Sequence, residues 1–257
     1  MHAAAFSLQG KVAVVTGGAG GLGSAICRAL ASAGATLVVG YGQSPERAVT
    51  LAAELPGVAG AVAGHVALRA PVTDSAGMKA LAAEVEGRYG RCDVLVNCAG
   101  ITRFVAHPDL DGLDDELIDR IFAVNVRGAF ASVRAFAPLL RRNGNGLVVN
   151  ISSIAAVTAM GSNIAYCASK AALDNMTRSL ARALAPAIRV VSVSPGLSDT
   201  EFVRQLDQAW RDEQAERTPL KGLAQPEHVA EAVVAAATLL RFTTGAIIPV
   251  DGGRPLT

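Results

Sequence analysis

Short apolar runs alternate with segments of helical periodicity along this sequence, and that alternation limits the fold more than any other feature. The first run, residues 11–16 (KVAVVT), leads through a glycine-rich turn into a helix-compatible segment at residues 22–33. Two longer helix-compatible segments cover residues 114–140 and 163–185. Six more short runs complete the pattern: residues 35–40, 61–68, 93–97, 147–152, 189–194 and 246–250. The sequence therefore predicts an α/β fold with seven strands.

The expected strands are continuously apolar, rather than alternately apolar and polar. Such strands are typical of a parallel sheet whose two faces are both covered by helices. We therefore expect a doubly wound, seven-stranded parallel sheet with helices on both faces. With 257 residues, of which 51% are hydrophobic, the chain is long enough for a sizeable core in one domain, residues 1–257. The polar stretch at residues 196–226 is expected to form a helical lid on the substrate side.

The charge balance and the cysteines argue against several classes of partner. Lysine and arginine number 23 against 22 aspartate and glutamate, so the charge balance favours neither a nucleic acid nor a membrane as partner. We therefore expect a small-molecule substrate. Without a Cys-x-x-Cys pair, neither a metal nor a disulfide framework is expected. Residues 1–6 lack the features of a secretory signal and no apolar run could span a bilayer, so we expect a soluble cytoplasmic protein. The cysteines, expected as reduced thiols, are Cys27, Cys92, Cys98 and Cys167.

The turn TGGAGGLG, residues 16–23, directly follows the first expected strand and opens the first expected helix. A dinucleotide-phosphate loop requires this context, because glycines allow positive φ values and the helix start offers backbone N–H groups to a pyrophosphate. The alternative is a tight strand-to-helix turn that binds nothing. The pattern favours a Rossmann-type dinucleotide site. Its expected residues in this turn are Gly17, Gly20, Gly21, Leu22 and Gly23.

The end of the second expected strand bears on the choice of cofactor. A fold of this type that is specific for NAD usually has an acidic residue there, which binds the ribose 2′-hydroxyl. Residues 38–44 (VVGYGQS) contain none, so NADP(H) is favoured over NAD(H), with Ser44 as a candidate ligand of the 2′-phosphate. Ser44 is equally suited to cap a helix before Pro45. No arginine lies in the glycine turn or at this strand end, and Arg47 is the nearest candidate cation.

A tyrosine and a lysine lie four residues apart in the segment YCASK, residues 166–170. In a helix, Tyr166 and Lys170 project from the same face about one turn apart. An ammonium beside a phenol stabilises the phenolate, so the tyrosine becomes a candidate general acid or base. The alternative is an ordinary amphipathic helix with a packed ring and a solvated amine.

Several separate motifs agree in order and spacing with the short-chain dehydrogenase/reductase family, and the resemblance covers nearly the whole chain. The turn at residues 16–23 resembles the family's Thr-Gly-x-x-x-Gly-x-Gly, and residues 97–100 (NCAG) resemble its Asn-Asn-Ala-Gly. Residues 124–126 (VNV) resemble the helix with its active-site asparagine, and residues 151–153 (ISS) resemble its serine-bearing strand. Residues 166–170 match its Tyr-x-x-x-Lys.

The resemblance implies a catalytic set of four residues: Asn125, Ser153, Tyr166 and Lys170. Of the two adjacent serines, the family's spacing to the tyrosine selects Ser153, and strand alternation would send Ser152 to the opposite face. In carbonyl reduction, Tyr166 would donate a proton to the substrate oxygen, and Ser153 would hydrogen-bond to the same oxygen. Lys170 would support the tyrosine and hold the nicotinamide ribose. Asn125 would support a water molecule that links Lys170 to solvent.

The resemblance also implies further cofactor residues. Residues 194–200 (SPGLSDT) are similar to the Pro-Gly stretch that closes over nicotinamide, where Thr200 would bond the carboxamide, and residues 250–253 (VDGG) look like the family's terminal strand end. Two departures concern the adenine side: Pro71-Val72 replaces the usual Asp-Val, and Val191 replaces an asparagine. Beyond the glycine turn, the implied cofactor residues are Tyr41, Ser44, Val72, Asn97, Ala99, Gly100, Tyr166, Lys170, Pro195, Gly196 and Thr200.

In Tyr41, in the absence of an acid at the end of the second strand and in the general motif set, the sequence resembles β-ketoacyl-(acyl-carrier-protein) reductases. This resemblance implies reduction of a 3-oxoacyl thioester carried on an acidic carrier protein. The alternatives are an NAD(P)-dependent dehydrogenase of another secondary alcohol, a sugar or a steroid-like substrate, and a catalytically silent dinucleotide-binding protein. The family's usual assembly is a homotetramer. Four arginines after Asn125 form either a docking patch for the carrier or a solvated or interface face: Arg127, Arg134, Arg141 and Arg142.

Overall fold

The computed structural model describes residues 7–58, 60 and 63–256, and it contains a seven-stranded sheet. The strands are β1 (Val12–Thr16), β2 (Thr36–Tyr41), β3 (Val66–Arg69), β4 (Val94–Asn97), β5 (Gly146–Ile151), β6 (Ile188–Pro195) and β7 (Ile247–Val250). All neighbouring strands are parallel, in the order β3-β2-β1-β4-β5-β6-β7. The predicted doubly wound, parallel α/β fold is confirmed.

Helices cover both faces of the sheet. They are α1 (Gly21–Ser32), α2 (Glu46–Glu54), α3 (Ser75–Tyr89), α4 (Asp115–Phe122), α5 (Ala129–Arg142), α6 (Ala155–Thr158), α7 (Ile164–Leu184), α8 (Glu201–Arg204), α9 (Gln208–Arg217) and α10 (Pro226–Thr238). A π-helical segment, Ala123–Gly128, joins α4 to α5. Helices α1 and α10 pack against each other over one face, and α3 and α5 do so over the other. No helix within the described ranges is long and apolar enough to cross a membrane.

Successive residues of each central strand enter two different cores. In β1, Ala13 and Val15 pack in the core under α1 and α10, whereas Val12 and Val14 pack in the core under α3, α5 and α7. All four side chains are buried. Because both faces are buried, both the odd and the even positions of these strands are mostly apolar, which explains the continuously apolar runs in the sequence.

Strand β3 begins later than the sequence pattern predicts. The predicted run covers residues 61–68, of which 61 and 62 lie outside the described residues, and the observed strand starts at Val66. His65 explains the late start. Its side-chain Nδ1 accepts the hydrogen bond of the Leu37 N–H of β2 at 3.0 Å, so that N–H is not bonded to the backbone of the neighbouring strand, and pairing with β3 begins at Val38 and Val66. Its Nε2 lies 2.9 Å from the Pro56 carbonyl oxygen. The prediction about residues 1–6 also concerns residues outside the described part.

The order of the strands creates a crevice at one end of the sheet. Strand β1 lies between β2 and β4, so the chain moves outward in opposite directions from this point. Thr16 and Asn97, the last residues of β1 and β4, are register partners. In open parallel sheets, ligands bind at the carboxyl ends of the strands where the order reverses. The glycine turn after β1 and the NCAG segment after β4 therefore meet at this crevice.

The polar stretch at residues 196–226 contains the helices α8 and α9. The carboxylate of Asp199 lies 3.1 Å from a guanidinium nitrogen of Arg204 in α8 and 3.1 Å from one of Arg211 in α9. Asp199 thus ties the two helices together. The two short helices cover part of the stretch, and its role as a helical lid stays a prediction.

At the opposite end of the sheet, Asp93 connects the starts of the central strands. Its buried carboxylate accepts hydrogen bonds from the Val12 N–H at 2.9 Å and from two nitrogens of Arg91 at 2.8 and 2.6 Å. Burial raises the pKa of the Asp93 carboxyl, but the hydrogen bonds from Arg91 and Val12 outweigh that effect and hold it below its ordinary value. The ionised carboxylate therefore stabilises the folded chain.

We expect the Asp93→Asn substitution to lower the free energy of unfolding at pH 7 by about 1–3 kcal/mol, because the charged hydrogen bonds to Arg91 are lost. A carboxyl whose pKa is depressed on folding contributes stability above its ordinary pKa and loses that contribution as the pH falls through the folded-state value. The difference between the two proteins should therefore narrow below about pH 4. Urea unfolding at pH 7 and below about pH 4 measures this difference in the free energy of unfolding, with the exposed Asp111→Asn as control. A gap that is constant with pH would contradict the assignment.

Candidate active site

The glycine turn after β1 has no room for side chains at two positions. Gly17 has a φ of +66°, and a Cβ there would lie 2.9 Å from the Ala99 Cα. A Cβ on Gly23 would lie 2.2 Å from the Gly17 carbonyl oxygen. Helix α1 starts at Gly21, with Gly20 as its N-cap and without a side-chain cap or an acidic residue in its first turn. Its first backbone N–H groups and its positive dipole end therefore face the crevice, as binding of a phosphate requires.

The crevice is a cleft of about 680 Å³ at the carboxyl ends of β1, β2, β3 and β4. Most of the expected cofactor residues line it: Gly17, Gly20, Gly21, Leu22, Gly23, Tyr41, Ser44, Val72, Ala99, Gly100 and Thr200. The structure places five others outside this lining: Asn97, Tyr166, Lys170, Pro195 and Gly196. The cleft volume, the glycine-rich turn and the uncapped helix start together fit the pyrophosphate of a dinucleotide.

Ser44 does not cap the following helix. Helix α2 begins at Glu46 with Pro45 as its N-cap, and no side chain caps it. The side chain of Ser44 is exposed and lines the cleft. Of the two sequence interpretations of Ser44, the helix cap is therefore wrong. The Arg47 guanidinium lies 3.0 Å from the Glu201 carboxylate of α8.

Several cleft residues were not predicted from the sequence. Arg69, the last residue of β3, and Glu201 are the charged residues of the lining. Both lie at positions that only the assembled sheet and the α8 segment bring to the cleft, so no local motif marks them. Uncharged neighbours of predicted residues also contribute: Ala19, Gly40, Gly42, Gln43, Ala70, Pro71, Thr73, Cys98, Ile101 and Val124.

Lys170 and Tyr166 lie together on α7. The Lys170 side chain is buried, and its Nζ donates a hydrogen bond to the Ile151 carbonyl oxygen at the end of β5, at 2.8 Å. The same nitrogen lies 5.6 Å from the centroid of the half-buried Tyr166 ring. A Cβ on Gly100 would approach Lys170 Nζ to 3.7 Å, so the ammonium borders the loop after β4. A lysine ammonium has three donors, and this arrangement leaves two besides the bond to Ile151.

Asn125 lies in the π-helical segment between α4 and α5. Its Oδ1 accepts from the Ile101 N–H at 2.9 Å, and its Nδ2 donates to the Ile101 carbonyl oxygen at 3.1 Å and to Ser169 Oγ at 3.1 Å. The buried amide thus joins the loop after β4 to α7, next to Lys170. The sequence predicts a helix here but not the π-helical turn, a local widening that occurs frequently at functional sites.

The two serines after β5 have different surroundings. Ser152 is buried, and its hydroxyl lies 3.5 Å from the Lys170 carbonyl oxygen on the backbone of α7. Ser153 is half-buried, and its Oγ accepts a hydrogen bond from the Ala155 N–H at 3.1 Å. The burial of Ser152 agrees with the expectation that it has a structural role.

Asn163 was not singled out from the sequence, although it holds the start of α7. It is fully buried, and its Oδ1 caps the helix by accepting from the Tyr166 N–H at 2.7 Å. Its Nδ2 donates to the Arg103 carbonyl oxygen at 2.7 Å and to Thr102 Oγ1 at 3.2 Å. An asparagine three residues before Tyr166 is the signal that could have identified this N-cap.

Three further expected cofactor residues, Asn97, Pro195 and Gly196, contact neighbouring strand ends and do not line the cleft. Asn97 is buried, and its Nδ2 donates to Asn150 Oδ1 at 2.8 Å, which joins the ends of β4 and β5. Pro195 pairs with Val250 in the sheet, and a Cβ on Gly196 would lie 3.0 Å from the Asp251 Cα. These residues shape the strand ends beside the cleft.

Metal ligands and disulfides are not part of this site in the described residues. No group of three or more His, Cys, Asp or Glu side chains there is placed to hold a metal ion. The four cysteines are free thiols. Burial raises the pKa of Cys98, which lines the cleft, to about 11, so its thiol stays protonated at neutral pH.

Comparison with known proteins agrees with this geometry. Residues 17–254 match the family model described as Enoyl-(Acyl carrier protein) reductase. The chain is 38% identical to granaticin polyketide synthase putative ketoacyl reductase 2 of Streptomyces violaceoruber, over 96% of this chain and 97% of that protein. It is 36% identical to 3-oxoacyl-[acyl-carrier-protein] reductase FabG of Thermotoga maritima, over 96% of this chain and 98% of the relative. A gluconate 5-dehydrogenase of Burkholderia cenocepacia, solved with NADP and tartrate, superposes with a TM-score of 0.90 at 29% identity and full coverage of both chains.

The chain belongs to the short-chain dehydrogenase/reductase family and is an oxidoreductase. Enzymes of this family use a nicotinamide dinucleotide, which fits the glycine-lined cleft.

We expect Gly23→Ala to weaken dinucleotide binding at least about tenfold, because its Cβ would collide with the Gly17 carbonyl oxygen and shift the phosphate loop. The control is Gly87→Ala, inside α3, where a Cβ meets no atom within 4 Å. That variant should bind normally and be more stable by about 0.5–1 kcal/mol. Calorimetric titration with NADPH and NADH, after circular dichroism has verified folding, measures both. Unchanged affinity in the Gly23 variant would contradict the assignment of the loop.

Proposed function

We propose that the enzyme reduces the 3-oxo group of an acyl thioester with NADPH, and that Asn125, Ser153, Tyr166 and Lys170 form its catalytic set. The observation that carries the proposal is the buried ammonium of Lys170 beside the Tyr166 ring. A buried lysine at this position has a chemical use, because its positive charge stabilises the negative charge that develops on the tyrosine oxygen during proton transfer.

Bound NADPH supplies the hydride for the carbonyl carbon. The Tyr166 hydroxyl donates its proton to the carbonyl oxygen as negative charge develops there, and the Ser153 hydroxyl hydrogen-bonds to the same oxygen. By the family resemblance, the two remaining donors of Lys170 would hold the hydroxyls of the nicotinamide ribose. Asn125 keeps the Ile101 backbone in place beside the ammonium. By the family resemblance, Asn125 would also support a water molecule that links Lys170 to solvent.

The preference for NADP(H) rests on the end of β2. Residues 41–44 contain no carboxylate that would bind a ribose 2′-hydroxyl or repel a 2′-phosphate. The exposed Ser44 hydroxyl is free of a helix-capping bond and lines the cleft at this corner. A strand end that offers a hydroxyl and no carboxylate accepts the phosphate more readily than an acidic one.

The choice of a 3-oxoacyl thioester rests on the two ketoacyl reductases of 38% and 36% identity. The arginines after Asn125 add little to it, because three of them contact neighbouring parts of the protein. Arg127 donates to the Thr73 carbonyl oxygen, Arg134 to Ser75 Oγ and Arg142 to the Glu86 carboxylate. We therefore place the recognition in the thioester rather than in an arginine patch for its carrier. Homotetramer assembly stays a prediction.

The full-length similarity to a gluconate 5-dehydrogenase favours oxidation and reduction of a sugar acid as the second candidate. An activity screen decides between them, with NADPH and NADH each offered an acetoacetyl thioester, a keto sugar acid and a cyclic ketone. Highest kcat/KM with NADPH and the thioester supports the proposal. A keto sugar acid reduced at least about tenfold more efficiently would replace it with the second candidate.

We expect Tyr166→Phe to lower turnover by about 10²- to 10⁴-fold, because the proton donor is lost, while the affinity for NADPH stays within about twofold. Tyr89→Phe is the matched control, since the Tyr89 hydroxyl donates to the Gly64 carbonyl oxygen away from the cleft. Single-turnover kinetics and a separate binding titration distinguish the two effects. Turnover close to that of the wild type in the Tyr166 variant would remove the tyrosine from the mechanism.

A further inference from the structure

We infer that Arg69 is the cation that contacts the 2′-phosphate and so determines cofactor specificity, an inference that rests on the proposed use of NADP(H). Arg69 ends β3 and is the register partner of Tyr41, which ends β2. Both residues line the dinucleotide cleft. The two strand ends form the corner of the cleft where a Rossmann-type fold receives the adenosine ribose.

The alternation of β3 indicates which way the arginine points. Val66 and Leu68 pack in the core under α3, α5 and α7, whereas Ala67 packs on the opposite face, as does Tyr41. Arg69 follows Ala67 by two residues and therefore projects from the same face as Tyr41. Helix α2 contacts β2 and β3, and the chain reaches it through Ser44. The guanidinium of Arg69 and the hydroxyl of Ser44 thus belong to one corner.

Arg69 is also the available cation of this corner. Its side chain is exposed and has no hydrogen bond or ion pair with the described residues. Arg47, the cation expected from the sequence, is instead paired with Glu201 at 3.0 Å. A guanidinium that is already neutralised by a carboxylate gains less from a phosphate than one that is unpaired.

The chemistry of the ligand matches this arrangement. A ribose 2′-phosphate carries nearly two negative charges at neutral pH, and a guanidinium binds such a group through two parallel hydrogen bonds. NADH has only an uncharged hydroxyl at the same position and gains little from the arginine. Arg69 should therefore contribute about 10- to 100-fold to the affinity for NADPH and little to that for NADH.

Binding measurements test the inference without any substrate. NADPH, NADH and the fragments 2′,5′-ADP and 5′-AMP are titrated by calorimetry into the wild type, Arg69→Gln, Arg69→Lys and Arg47→Gln. We expect Arg69→Gln to weaken NADPH and 2′,5′-ADP about 10- to 100-fold and to leave NADH and 5′-AMP within about twofold. Arg69→Lys should retain part of the preference, and Arg47→Gln should retain all of it. Thermal unfolding shows whether each variant is folded.

The outcomes separate this inference from the proposed function. If the wild type prefers NADPH and the Arg69→Gln variant keeps this preference, the role of Arg69 is overturned but the proposed cofactor is not. Loss of the preference in Arg47→Gln but not in Arg69→Gln also overturns it and assigns the phosphate to Arg47. A wild type that binds NADH as tightly as NADPH overturns the proposed cofactor and Arg69 with it.

Discussion

Two-sided burial of the parallel sheet is the constraint on which the rest of the molecule depends. Because helices cover both faces, few polar side chains lie along the strands, and the residues that line the cleft lie where the strands end. At the carboxyl ends, Thr16 Oγ1 accepts hydrogen bonds from the N–H groups of Cys98 and Ala99, both at 3.2 Å. This joins the glycine turn after β1 to the loop after β4. One buried side chain therefore holds the two loops that border this part of the cleft.

The buried charge of Lys170 imposes a second requirement. A buried ammonium must be hydrogen-bonded, since an unpaired charge in the protein interior is costly. Its bond to the Ile151 carbonyl oxygen meets part of that requirement and fixes α7 against the end of β5. Asn125 then holds the loop beside the ammonium through two bonds to Ile101. Lysine, strand end, loop and π-helical turn form one connected polar structure at the edge of the core.

The sequence predicted those parts of the molecule that depend on local spacing. The glycine turn, the Tyr166–Lys170 pair and the seven apolar runs all have signatures within a few residues, and the strands and helices follow them closely. Arg69 and Glu201 have no such signature, because their place at the cleft depends on which strands become neighbours and on where α8 lies. The late start of β3 likewise depends on a contact between His65 and a different strand.

The ambiguity of Ser44 shows the same limit in another form. A serine before a proline is equally consistent with a helix cap and with a ligand, and only the observed N-cap at Pro45 separates them. The π-helical turn at Asn125 is a further case, since apolar periodicity does not distinguish it from an ordinary helix.

The three hydrogen bonds of Asn163 have a mechanical consequence. One fully buried side chain connects the first turn of α7 to the hydroxyl of Thr102 and to the backbone carbonyl of Arg103. The loop and the helix are therefore mechanically coupled through this one side chain. A displacement of the segment that follows the NCAG motif is transmitted directly to the turn that carries Tyr166.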